Sequence, residues 1–412
     1  MRNSIKIALR NLVRYRRRTL FTIGLITVGM VFVVVFVAAA GSFKDMMIRD
    51  ITDSYLGHIQ IHSKGYVASI ETLPLQMNLR PDQVARIEQA LKDNEAIQSY
   101  SKRIKFGGAF SNFEETTNIR INGVDPEAEV ETSPLLLPRL VTGERTAASL
   151  GRGKILVPEL LARGLGVKIG DTVVVVATNR DGSVNGKTFA ISGVVSSATG
   201  PGGRDGYIHI DDARDLLRLT EPEVSEIAIR LKNLSDLQTI SGQLSSKLTG
   251  LGGAGNVEIH TWEQLSPFFN IVRMIDVMTF FLKAMLVSVV LIGIMNVMIM
   301  AVYERIREIG TIAAMGTLPR RILSLFLYEG LLLGTVGAVF GTMVGSAVIF
   351  ALNSAQITFS FGQQKAVVLA PAVSFSQVVV ISVLVIGVSL LATLQPAWKA
   401  SRMEPIDALR HV

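Results

Sequence analysis

Residues 304–316 read ERIREIGTIAAMG, and they follow directly on LVSVVLIGIMNVMIMAVY at 286–303. Four charges fall in the first five residues, and a second long apolar run opens soon afterwards. In a helix, Glu304 and Glu308 lie one turn apart and Arg305 reaches Glu308 at i+3. Ile309, Ile312 and Met315 then form an apolar stripe, and Gly316 is placed to end the helix. A solvated loop needs no such stripe. A helix lying flat on lipid headgroups accounts for it as well as a helix docked on another protein does.

The surrounding composition places this segment at a membrane. The chain has 412 residues, 49% of them hydrophobic and only 18% charged, with a positive mean hydropathy. That balance points to several spans beside a water-exposed part. There is no cysteine, which removes thiolate metal sites, disulfides and cysteine nucleophiles and leaves the redox compartment open. The net charge of +7 gathers in the first eighteen residues and beside the apolar runs, so it reads as membrane orientation rather than nucleic-acid binding.

A helix needs about 20 apolar residues to cross the hydrocarbon core. Four runs meet this, at 19–40, 284–303, 322–352 and 374–395, the last ending before Pro396. A cleaved signal peptide is the alternative for the first, but it exceeds the usual apolar core of about 7–15 residues. Basic residues crowd the segments at 1–18, 304–321 and 396–412, whereas 353–373 holds only Lys365. By the positive-inside rule both termini and the 304–321 segment are cytoplasmic. Residues 41–270 and 353–373 are then outside, in a multi-pass protein of the bacterial inner membrane. Residues 1–18 read as an amphipathic helix on the inner surface, with Ile5, Leu9 and Leu12 on one face.

Residues 41–270 suit an α+β fold: a large two-lobed α/β extracytoplasmic domain with stalks, its inserted lobe at about 105–220. GHIQIHS, TNIRING, KILV, DTVVVVA, KTFAISGVV, GYIHI and NVEIHTW read as strands. Residues 81–97, 211–219 and 234–248 read as helices. Arg273 and Asp276 could pair along a stalk at i+3.

Apparent chemistry dissolves on inspection. GSVNGKT at 182–188 is one residue short of a phosphate-binding loop and runs into a strand, so Asn185-Gly186 reads instead as a hairpin turn. GLGGAG at 250–255 matches a dinucleotide fingerprint, but with helix before and strand after, the reverse of what that site needs. His58 and His62 lie on one strand, too far apart to share a metal. Neither a metal site nor a catalytic constellation is expected, so a chain that does work must receive its energy from a partner.

Within the third run, Gly330, Gly334, Gly337, Gly341 and Gly345 share one helical face and call for close helix packing, inside one four-helix unit or across a dimer. Glu329 must find a donor if it lies within the span, with Asn296 of the second span as a candidate partner, or else it sits among the headgroups.

ERIREIGTIAAMGTLPRRILSLFLYEGLLLGTVGAVFG at 304–341, PAWKASRMEPIDALR at 396–410 and, more weakly, KILVPELLARGLGVKIGDTV at 154–173 resemble permease subunits of the MacB/LolC/LolE/FtsX family of ABC transporters. The layout is similar along almost the whole chain. The resemblance implies a dimer of the same or a related permease. It implies a separate ABC ATPase that binds ATP and Mg, since this chain carries no cofactor and is not itself an enzyme. It implies mechanotransmission from ATPase to outer domain, with a periplasmic adaptor or lipoprotein carrier as a further partner. It makes 304–321 the coupling helix, with Glu304, Arg305, Arg307, Glu308, Ile309, Gly310, Met315 and Gly316 as the ATPase-coupling residues. The large domain favours lipoprotein release or export of amphiphiles, with FtsX-like control of a periplasmic enzyme as the alternative.

Overall fold

The computed structural model describes residues 2–196, 205–250, 256–356, 358–361, 364–368 and 370–404. The chain opens with α1 (Arg2–Arg14) and α2 (Arg16–Ile51). There follow β1 (Ile59–Ser63), α3 (Pro81–Lys92), β2 (Ile97–Ser111), β3 (Thr116–Val124) and α4 (Pro126–Thr132). Next come β4 (Leu140–Gly143), β5 (Lys154–Pro158), α5 (Glu159–Gly164), β6 (Thr172–Thr178), β7 (Val184–Val195) and β8 (Asp205–His209). The domain closes with α6 (Ile210–Leu217), β9 (Glu226–Leu231), α7 (Leu237–Gly250), β10 (Val257–Thr261) and α8 (Trp262–Leu265). Then come α9 (Phe269–Glu304), α10 (Ile306–Ala314), α11 (Pro319–Ser354), the hairpin of β11 (Thr358–Phe361) and β12 (Gln364–Val368), and α12 (Phe375–Ser401).

These elements form two compact units, one built on α1, most of α2, α9–α12, the other on Met46–Val272. Among the described residues, four helices, those containing α2, α9, α11 and α12, are long and apolar enough to cross a membrane. The α/β domain lies in sequence between the first and second of them.

In the domain, ten strands make one mixed sheet in the order β10-β1-β9-β2-β3-β8-β5-β7-β4, with β6 pairing β2 and β7. One sheet runs through the domain, and the fifteen-residue β2 joins its parts. Its first half pairs with β9 and its second half with β3 and β6. Among the described residues, β3–β8 and β5–β7 are the parallel pairs. Ile59, Ile61, Ile87, Ile104, Phe106, Ile229 and Trp262 belong to the main apolar core.

A buried ionic network lies within this core. Arg103 is 2% exposed and its fork meets both oxygens of Glu129 at 2.8 and 2.7 Å, Glu226 at 3.1 Å and Ser133 at 2.9 Å. Lys105 reaches Glu226 at 2.9 Å. Burial disfavours the Glu226 anion, but Lys105, His62 and Arg103 outweigh it and hold the carboxyl well below its ordinary range. The network ties α4 to β2 and β9.

Several expectations need correction. The β6–β7 turn falls at Asn179–Ser183, with Gly182 at φ +84° and Asp181 accepting from the Ser183 N–H, rather than at Asn185-Gly186. Asn185 is inside β7, opposite Ala177, and donates to the Leu216 carbonyl. Asp276 pairs with Lys44 of α2 at 2.7 Å instead of Arg273, because the neighbouring helix offers a cation at contact distance. The helix of the last apolar run continues past Pro396: α12 reaches Ser401, with Pro396, Ala397 and Ala400 buried. A proline forfeits one helical hydrogen bond, which the packing of the last turn overrides. Of GLGGAG, residues 251–255 lie outside the described residues.

Candidate coupling site

The charged segment forms a short helix between two long ones. Arg305, at φ −110° and ψ 16°, leaves the helical region and interrupts α9. Its carbonyl accepts from the Ile309 N–H at 2.9 Å and so starts α10. Gly316 ends the segment at φ +82°, a left-handed conformation that other residues adopt at a cost. Pro319 then opens α11, where its missing N–H is not needed.

α10 has two faces. Ile309 and Gly310 are buried, and Ile309 joins the membrane core with Ile322 and Phe326. Arg307, Thr311, Met315 and Leu318 are exposed, Met315 at 72% and Leu318 at 61%. The expected stripe is therefore divided: Ile309 turns inward, Ile312 is half-buried and Met315 turns outward.

The charges divide in the same way. Glu304 is largely exposed, 3.8 Å from Arg18. Arg305 is buried, its guanidinium 3.2 Å from Glu308, 3.4 Å from Glu329 and over the rings of Tyr15 and Phe326. Glu308 also accepts from the Tyr15 hydroxyl at 3.2 Å and lies 3.6 Å from Arg14. Glu329 is fully buried within α11, and Arg18 donates to it at 2.6 Å. A carboxylate at that depth needs donors that water cannot supply, and two guanidiniums from different segments meet the need. Asn296 is exposed on α9 and does not serve Glu329. The correction is one of register, since Arg18 and Arg305 each stand at the same end of their helices as Glu329. Sequence reasoning missed Arg18 and Tyr15. The available signal was a carboxylate just inside one span and a cation just outside another.

The five glycines of α11 are all buried within this chain. A methyl group at Gly330 or Gly334 would strike Thr393 or Ser389 of α12. At Gly337, Gly341 and Gly345 it would meet Ile26, Met30 and Val34 of α2. The face thus packs α11 against α12 and α2. Gly29 and Gly293 give α2 and α9 the same close approach, against Val290 and Leu25.

Four long apolar helices, one large α/β domain between the first two, and an amphipathic helix between the second and third have the layout of a multi-pass membrane protein. Residues 19–247 match the MacB-like periplasmic core domain, and residues 279–405 match the FtsX-like permease C-terminal domain. The chain belongs to the MacB/LolC/FtsX family of ABC transporter permeases. It is 23% identical over 309 residues to the lipoprotein-releasing system transmembrane protein LolC of Xylella fastidiosa, covering 71% of this chain and 72% of that one. It is 35% identical over 120 residues to the macrolide export ATP-binding/permease protein MacB of Syntrophobacter fumaroxidans, covering 29% of this chain and 15% of that one. Among solved structures, the periplasmic region of MacB from Actinobacillus actinomycetemcomitans is similar over 56% of this chain and 95% of that one, at 13% identity and a TM-score of 0.39.

Proposed function

We propose that this permease couples ATP hydrolysis by a separate ABC ATPase to a conformational change of its periplasmic domain, and so drives lipoprotein release or export of amphiphilic substrates from the inner membrane. Both termini and α10 face the cytoplasm in this reading, by the excess of basic residues beside those ends of the spans. The observation that carries it is the division of α10. Ile309, Gly310 and Arg305 anchor it, while Arg307 is exposed near its start and Met315 and Leu318 are exposed just past its end. Exposed apolar residues rimmed by polar ones mark a surface that takes up a partner. Among the coupling residues, Met315 and Arg307 therefore make the contact, Gly316 sets the helix end, and Arg305 and Glu308 hold the segment in place.

The lipoprotein branch is supported by the long match to a LolC, which covers 71% of this chain. FtsX-like control of a periplasmic enzyme is not favoured, since the relatives matched carry transport names. The test is copurification. The wild-type chain, expressed with the cell's own proteins, retains an ABC ATPase, and the double variant Met315→Asp, Leu318→Asp inserts but loses it. Equal retention by the variant would place the contact elsewhere.

A further inference from the structure

α10 is bonded covalently only to α9 and α11, yet its first turn is held elsewhere. Arg305 starts α10 with its backbone and ends on Glu329 of α11 with its side chain. Glu308, one turn further, reaches Tyr15 and Arg14. Glu329 is in turn held at 2.6 Å by Arg18, at the start of α2. Tyr15, between α1 and α2, lies under the guanidiniums of both Arg18 and Arg305, at 5.2 and 5.5 Å. The contacts of Arg305 and Glu308 thus lead to the junction of α1 and α2.

We infer that Glu329 is a positioning residue that joins α10 to the first span, so that a displacement of α10 passes to α2 through Arg305, Glu329 and Arg18. The backbone between α9 and α10 is a poor lever, because Arg305 breaks the helix there. The ionic joint is stiff for three reasons. Glu329 is fully buried, so no water can replace either arginine. Hydrogen bonds between charged partners in a medium of low dielectric are among the strongest the chain can make. The glycine face of α11 also holds α2 at close range, which keeps Arg18 in register with Glu329. The purpose of the joint rests on the coupling reading above; its existence does not.

The chain has no cysteine, so two introduced ones are unique labelling sites. Leu20→Cys on α2 and Thr311→Cys on α10 are both exposed and report the distance across the joint. With spin labels, in nanodiscs of phosphatidylethanolamine and phosphatidylglycerol, the full chain gives one narrow distance distribution. Glu329→Gln strands two guanidiniums in the span and risks misfolding, so Arg18→Gln carries the test and widens the distribution at least twofold. Arg18→Lys, which keeps the charge, recovers part of the narrowness. Asp276→Asn breaks a different ion pair of the same unit and leaves the distribution unchanged. An Arg18→Gln distribution as narrow as wild type overturns the inference, and so does equal widening by Asp276→Asn, which would mean general loosening. ATPase retention is scored separately. Widening in a chain that retains no ATPase sinks the coupling reading and keeps the joint; retention with no widening does the reverse.

Discussion

Alanine at Gly337 tests whether the glycine face of α11 is filled by this chain's own α2. A methyl group there would lie 2.5 Å from Ile26 Cγ2 and 2.7 Å from its Cβ, against 3.4–4 Å for ordinary contact. The Cβ of Ile26 is fixed to the backbone of α2, so the helices must separate by a large part of an ångström. Gly341 is similar, with Met30 Cβ and Cγ at 2.5 Å, whereas Gly345 has 3.3 Å to Val34 and needs only slight adjustment. Gly24 has nothing within 4 Å and is the control. Each substitution gains the same helix propensity, about 0.8–1 kcal/mol, so the comparison isolates packing. Overpacking costs about 1–3 kcal/mol. Gly337→Ala and Gly341→Ala should thus be about 1–3 kcal/mol less stable than Gly24→Ala, with Gly345→Ala between them and the control. Stability is read from unfolding of the full chain in mixed micelles against increasing SDS. Equal stability of Gly337→Ala and Gly24→Ala would refute the packing. A loss that depends on protein concentration would mean that the face serves a second copy instead.

Other predictions follow from the same geometry. Glu226 has a depressed carboxyl, so its contribution to domain stability is complete above the ordinary range near pH 4.5 and fades as pH falls toward its lower folded value. Trp262 fluorescence in a Trp398→Phe background should report a thermal midpoint that is flat from pH 7 to about pH 5 and falls below it. Glu226→Gln should cost about 3–5 kcal/mol at pH 7 by leaving Arg103 and Lys105 short of a partner, and it should weaken the acid dependence. Gly316→Ala forces a side chain into the left-handed region and should cost about 1–2 kcal/mol locally. Faster amide exchange at the end of α10, with the long helices unchanged, is the readout.

Much of this architecture is legible in the residues because membrane spans depend on composition over a long window. The four apolar runs and the in-phase glycines needed no tertiary information. The coupling segment was legible as an amphipathic helix, but not the direction in which each charge turns. Arg305 and Arg307 look equivalent in sequence, and only packing makes one a buried ligand of Glu329 and the other an exposed side chain. β2 escaped for a related reason. Ser99, Ser101 and Arg103 occupy inward positions where apolar residues would have marked a strand, and Glu129 and Glu226, far along the chain, make that burial tolerable. Asn185-Gly186 misled because turn propensity is local, whereas the register of β6 and β7 is set by pairing along both strands.

In the proposed function, the exposed end of α10 is where an ABC ATPase delivers its motion. Photo-crosslinking in the intact cell tests it most directly, with a photoreactive residue at Met315 and a control at Ile292, exposed on the apolar surface of α9. The 315 probe should capture a protein carrying an ATP-binding P-loop, identified by mass spectrometry, and the 292 probe should not. Capture of lipid alone at 315, or of the ATPase equally at both positions, would contradict it.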